Sequence, residues 1–199
     1  MSGTSHLRAA ALMAGLLLAS PASAWKIVAD GQPYAHAGTG YSIQYPAGWR
    51  FRKEAFGDET IATRDGPLLQ VIYVDFRKHK QAFRAQRKDA TADMLPQELA
   101  GKFIAEATAA RGLQNMAVLS DEPATLAGQP AFRLHLAYRT AVDAGSVRYE
   151  EILVGTNTPQ GIFLVGYRGP VLHYFARDVA AFEQALATFA ISPPAPRRR

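Results

Sequence analysis

The chain has 199 residues, a formal net charge of +5 and 48% hydrophobic side chains, and it contains no cysteine. The missing thiols exclude disulfides, thiol catalysis, zinc–thiolate sites, iron–sulfur ligation and a lipid-modified cysteine together. The length suits one domain able to bury about 70% of its unfolded surface.

The first residues read as a targeting segment. A short polar stretch ending in Arg8 precedes an apolar run over residues 9–19 and then Ala22-Ser23-Ala24. This is the order of a secretory signal peptide with an A-x-A cleavage site. Eleven apolar residues are about half of the ~20 that span a bilayer, so no transmembrane helix is expected in the mature chain. The expectation is a signal peptide over 1–24, cleavage near Ala24 and a periplasmic or secreted protein. A basic exported protein meets anionic head groups, envelope polymers and acidic proteins, and nucleic acid is not expected as a partner.

Residues 25–40, with Gly31, Pro33, Gly38 and Gly40, read as an irregular lead-in carrying a short strand at 25–28. Tyr41, Ile43 and Tyr45 then alternate with Ser42 and Gln44, the pattern of a strand with one apolar face. Pro46 and Gly48 turn the chain, and Trp49 and Phe51 return it as a hairpin. So many aromatic side chains in one stretch predict a core anchor rather than a binding surface. A charged loop over 52–58, a short strand over 60–63 and a turn over 64–67 follow. Residues 68–76 are almost continuously apolar, as in a strand covered on both faces.

Residues 77–88 contain no acidic side chain. Arg77, Lys78, Lys80, Arg84, Arg87 and Lys88 surround Phe83, and this is the first candidate site, suited to an anionic surface or partner. A solvated, mobile loop is the plainer alternative. The spacing of Leu95, Leu99, Phe103 and Ala107, with Ile104 beside them, predicts a helix with one buried face. Asp93 is its expected N-cap, Pro96 and Glu98 suit its first turn, and Gly112 ends it.

A strand over 116–119, a break at 121–123 and a turn over 126–130 lead into strong alternation. Phe132, Leu134, Leu136 and Tyr138 face one way, and Arg133, His135 and Arg139 the other. The second candidate site is this polar row, a shallow anion site beside Arg148 and Glu150, with cross-strand Arg–Glu pairing as its alternative. After a hairpin connection at 141–145, the return strand over 147–155 is disturbed at Glu150-Glu151, which predicts a bulge. A turn over 157–161, a central strand over 162–167 and a helix through Phe175, Val179, Phe182, Leu186 and Phe189 complete the pattern. Residues 193–199 read as a mobile basic tail. The order predicts an α+β domain over 25–192, an antiparallel sheet with helices on both faces.

The run Tyr41-Ser42-Ile43-Gln44-Tyr45-Pro46-Ala47-Gly48-Trp49, the mid-chain helix, the three later strands and the final Phe-containing helix resemble the PsbP-like superfamily. That resemblance implies an α/β/α sandwich around an antiparallel sheet. PsbP itself is an extrinsic subunit of the photosynthetic oxygen-evolving complex, and bacterial relatives include exported proteins and lipoproteins, so the implied role is accessory or binding. No metal or partner residue carries over, and the missing lipobox departs from the lipidated relatives.

Catalytic signatures are absent from the sequence. Ser42, Ser120, Ser146 and Ser192 lie outside any G-x-S-x-G elbow. His36, His79, His135 and His173 have no metal-ligand spacing, and neighbouring carboxylates such as Asp121-Glu122 diverge on a strand. No phosphate-cradling loop or dinucleotide fingerprint occurs. No catalytic, cofactor or metal residue is therefore assigned. The expected function is a monomeric, non-enzymatic accessory or binding protein of the cell envelope, its partner an envelope protein or an anionic envelope surface. A hydrolase or metal-dependent enzyme whose residues converge only in the fold is one alternative. A small-molecule carrier with an internal apolar cavity is the other.

Overall fold

The computed structural model describes residues 25–53, 59–109, 113–142 and 145–192. The expected signal peptide over 1–24, residues 54–58 of the expected charged loop, the expected helix end at Gly112 and the expected basic tail over 193–199 lie outside the described residues. Eight strands form one antiparallel sheet in the order β1 (Lys26–Ile27), β4 (Arg50–Lys53), β5 (Thr60–Thr63), β6 (Val71–Arg77), β10 (Gly161–Pro170), β9 (Gly145–Thr158), β8 (Gln129–Val142) and β7 (Leu113–Leu126). A second sheet of three joins β2 (Tyr34–His36), β3 (Tyr41–Ile43) and β11 (Ala190–Ile191). The helices are α1 (Pro96–Ala109) and α2 (Ala176–Ala187).

Alternation along the central strands divides the core in two. Val71, Tyr73, Ile162 and Leu164 face Leu99, Ala100 and Phe103 of α1. Ile72, Val74, Phe163, Val165 and Tyr167 face Phe182 and Ala185 of α2, together with Tyr41 and Ile43 of the small sheet. Each central strand is thus apolar on both sides because a different layer covers each side. The result is an α+β arrangement in which the large antiparallel sheet lies between helices.

The structure corrects several local expectations. Tyr41, Ile43, Tyr45 and Trp49 are buried as predicted, but 41–51 is not a hairpin. β3 belongs to the small sheet and β4 to the large one, so the Pro46–Gly48 turn carries the chain between layers. The Tyr41 and Tyr45 hydroxyls both meet Thr60 Oγ1 at 2.7 Å, tying the layers together. The lead-in contains β2, whose identity as a strand comes from β3 beside it. Arg52 and Lys53 continue β4 rather than opening a loop.

The strand expected from residue 68 starts at Val71, because Leu69 N–H and Gln70 N–H both donate to Gly66 O and close a turn. Leu95, not Asp93, caps α1. Pro96 takes the first helical position, where its missing N–H costs nothing, and the Glu98 carboxylate accepts from Leu95 N–H at 2.8 Å. Leu95 therefore lies outside the apolar face and is exposed.

β7 runs unbroken through Asp121, Glu122 and Pro123. It is an edge strand, and proline is tolerated there. The bulges fall on β7, between Gln114 and Ala117 and between Val118 and Ser120, while the β8–β9 register is continuous past Glu150 and Glu151. At the C-terminal end, Phe175 sits in an irregular turn, Val171–Phe175, and α2 stops at Ala187. Phe189 is buried beyond the helix, where the chain turns toward β11.

Candidate functional site

The basic loop leaves β6 at Arg77 and reverses before α1. Its apolar residues point inward: Ala82 and Phe83 are fully buried, and the Phe83 ring stands edge-on to Phe103 at 5.3 Å. Phe83 and Lys88 exchange two backbone hydrogen bonds of 3.1 and 3.2 Å. Ala90 N–H donates to His79 O at 2.8 Å, the Asp89 carboxylate accepts from Gln81 N–H at 2.7 Å, and the His79 ring is hydrogen-bonded to Asn157 Oδ1 at 2.9 Å. Gln81 and Arg87 take left-handed backbone angles, φ 58° and 54°, that tighten the reversals. This segment is a built hairpin-like unit.

Lys78, Lys80, Arg84, Arg87 and Lys88 are exposed on that frame. Arg77 and Phe83 do not join them. Phe83 holds the loop to the core. The Arg77 guanidinium turns inward, with Nε 2.6 Å from Asp75 Oδ2, Nη1 3.0 Å from Glu106 Oε2 and 2.9 Å from Ala82 O. Burial works against its charge, but Asp75 and Glu106 outweigh that and raise its pKa. Arg84 is shared, its Nη2 lying 3.4 Å from Asp75 Oδ1.

The second candidate row lies on one face of β8, and each member has its own partner. Arg133 donates to Glu183 of α2. His135 Nε2 is 3.0 Å from Glu150 Oε2, and its ring stacks on Phe175. Arg139 donates to Ser146 Oγ at 3.0 Å. The pairing thus goes partly to the neighbouring strand and partly to α2, and the three groups do not converge on one point.

A third cluster has no counterpart among the expected sites. Glu151 accepts from the Tyr73 hydroxyl and, at 2.9 Å, from the Tyr138 hydroxyl. The Arg168 guanidinium lies over the Tyr73 ring at 5.6 Å. A side chain at Gly166 would collide with that ring, so the glycine seats it. Burial, then the Glu151 charge, raises both phenol pKa values. The two phenols are turned on the Glu151 carboxylate, which suits a part-buried polar tie between β6, β8 and β9, with the exposed Arg168 of β10 beside it.

Among the described residues no group of three or more His, Asp or Glu side chains converges as a metal site. No helix among them is long and apolar enough to cross a membrane. A groove of about 420 Å³ runs between the start of α1 and β7–β8, lined by Pro96, Asp121, Glu122, Pro123 and Phe132.

No protein-family model matches the sequence, and no curated protein matches it. Solved structures do match. Cyanobacterial PsbP from Synechocystis superposes with a TM-score of 0.53 at 16% identity, over 80% of this chain and 91% of its own. The chain has a PsbP-like fold. The Saccharomyces cerevisiae Ran-binding protein Mog1p shares it, with a TM-score of 0.55 at 10% identity over 85% of this chain and 96% of its own. At such identities the likeness concerns the fold, and the function of this PsbP-like chain rests on its own surface.

Proposed function

We propose that this PsbP-like chain is an exported, non-enzymatic accessory protein that docks on an anionic partner of the cell envelope through Lys78, Lys80, Arg84, Arg87 and Lys88. One observation carries the reading: five exposed cations project from a backbone already fixed by the burial of Phe83 and by its own hydrogen bonds. A preformed loop loses little conformational freedom on docking, and clustered charge of one sign steers an oppositely charged partner. Mog1p, which shares the fold, is by name a Ran-binding protein, and this supports a binding role here.

In this reading residues 1–24 are removed on export, residues 25–192 act as one monomeric domain, and 193–199 add basic charge. Mass spectrometry of the exported protein is expected to place its first residue at Trp25. The docking test compares wild type with a Lys80→Glu, Arg87→Glu, Lys88→Glu variant on envelope extracts at low and high salt. Retention of wild type at low salt, release by salt and a roughly tenfold or greater loss in the variant are expected. Equal retention of both proteins overturns the proposal.

A further inference from the structure

At the opposite end of β6 and β10 the chain exposes carbon beside its charge. Val71 pairs with Arg168, so residues 64–70 before β6 and the Val171–Phe175 turn after β10 leave the sheet side by side. Leu68 is 76% exposed and Leu172 is 87% exposed.

Both leucines are held out by built structure. Thr63 Oγ1 donates to Gln70 O at 2.6 Å, and Tyr149 OH donates to Leu68 O at 2.5 Å. Gln70 Nε2 reaches Asp65 at 2.9 Å and Asp178 at 3.1 Å, tying the first turn to the start of α2. In the second turn Tyr167 OH donates to the carbonyls of Tyr174 and Phe175 at 3.0 and 3.1 Å. His173, beside Leu172, has φ 76° and ψ −47°, near the rare and strained γ-turn conformation. Such strain persists only where the surroundings over-determine it, and it collects at surfaces that act.

Two arginines of the collar around the tips face outward, while Asp65 of the first turn is also exposed and pairs with Arg177. Arg64 pairs with Asp178, and the two side chains are 54% and 4% exposed. Arg148 lies 3.8 Å from Glu150, at 54% and 15%. In these two pairs the carboxylate faces the protein and the guanidinium faces out. Tyr149 and Tyr174 are partly buried at the same end.

We infer that this end seats in the interface of an anionic lipid bilayer, with Leu68 and Leu172 entering the acyl boundary and Arg64 and Arg148 meeting head-group phosphates. Apolar tips, a tyrosine level and snorkelling arginines form the sequence of layers that an interface offers. A protein partner would call for a contiguous apolar centre, whereas the exposed carbon here is confined to loop tips. This surface is separate from the basic loop and does not rest on it.

The test uses vesicles of phosphatidylcholine mixed with phosphatidylglycerol, with or without brominated acyl chains, and the protein as recovered from expressing cells. Leu172→Trp reports on this end alone, once the wild-type signal of Trp25 and Trp49 is subtracted. Its added emission is expected to be quenched by the brominated vesicles. Leu68→Ser with Leu172→Ser is expected to lower partitioning about tenfold, from the lost apolar insertion, with an unchanged unfolding midpoint. The Lys80→Glu, Arg87→Glu, Lys88→Glu variant, carrying Leu172→Trp, is expected to keep the quenching. No quenching at 172, or serine variants that partition like wild type, overturns the inference. Quenching that disappears with the basic-loop reversal also overturns it, and would return vesicle binding to that loop.

Discussion

Where β6 ends at Arg77 the loop hides its carbon, Ala82 and Phe83, and shows its charge; where β6 begins at Val71 the turns hide polar groups, Gln70 and Asp178, and show Leu68 and Leu172. The difference lies in what the layer beneath each end supplies. At the first end α1 offers Phe103 as an apolar seat and Glu106 for Arg77. At the second, α2 opens with Arg177 and Asp178, which recruit Asp65, Gln70 and Arg64 into a hydrogen-bonded network. Each segment buries the groups that find a partner and leaves the remainder outside. Hydropathy alone therefore misreads both ends, and the exposed residue set at each is a by-product of anchoring.

Breaking the apolar anchor should have the largest effect. Phe83→Ala removes a fully buried ring and is expected to cost about 3–5 kcal/mol of stability, measured by urea unfolding. It should also weaken salt-sensitive retention on envelope extracts while leaving vesicle partitioning in place. A loss below about 1 kcal/mol would mean that the loop keeps its shape by hydrogen bonds alone. Breaking the polar anchor comes next. Asp178→Ala removes the acceptor of Arg64 and one of the two carboxylates that Gln70 and Arg177 share, leaving them Asp65, and is expected to cost about 1–3 kcal/mol. Hydrogen exchange should speed up at Leu69 and Gln70, whose N–H groups close the turn, and not at Phe83 or Lys88. Exchange that rose equally at both ends would show the two networks to be coupled.

Releasing strain at the leucine end acts in the opposite direction. His173→Gly relieves a left-handed backbone worth about 1–2 kcal/mol but adds freedom to the unfolded chain worth about 0.5–1 kcal/mol. A net stabilisation of about 0.5 kcal/mol is expected in thermal unfolding, with weaker vesicle partitioning because Leu172 is no longer held out. A destabilised variant would show that the ring contact of His173 with Tyr174, at 5.2 Å, matters more than the strain.

Much of the fold was legible from residues 41–51, 71–76, 132–138 and 162–167, where apolar runs or alternation report burial directly. What could not be read depends on neighbours distant in sequence. Pro123 looks like a break until β7 is known to be an edge. β2 and β11 are too short to signal anything except through β3. Leu68 and Leu69 look like the beginning of β6 because Gly66, which turns them aside, acts through its carbonyl and not its side chain. At the candidate site the exposed cations were visible as a run, but the inward course of Arg77 needed Asp75 and Glu106. Leu172 carried no signal, since its exposure arises from the turn that follows Pro170.

The smallest effect expected separates the two ends by pH. Asp65 accepts from Arg177 Nη2 at 2.5 Å and from Gln70 Nε2 at 2.9 Å, and these hydrogen bonds hold its carboxyl below the ordinary value of 3.8. The other charged groups facing it, Arg64 and Asp178, belong to the same network. With the folded pKa lower than the unfolded one, the folded state binds fewer protons. The contribution is therefore complete above the ordinary pKa and is lost as the pH falls through the lowered folded value. Asp65 is partly exposed, so solvent screening keeps the contribution small. Asp65→Asn should accordingly flatten part of the acid limb of a stability-versus-pH curve below about pH 4, without changing the exchange of the basic loop. If wild type and variant lose stability in parallel there, Arg177 and Gln70 position the carboxylate without stabilising its charge. The leucine turns would then be held by Asp178, by the Thr63–Gln70 bond and by the Tyr149 and Tyr167 hydroxyls.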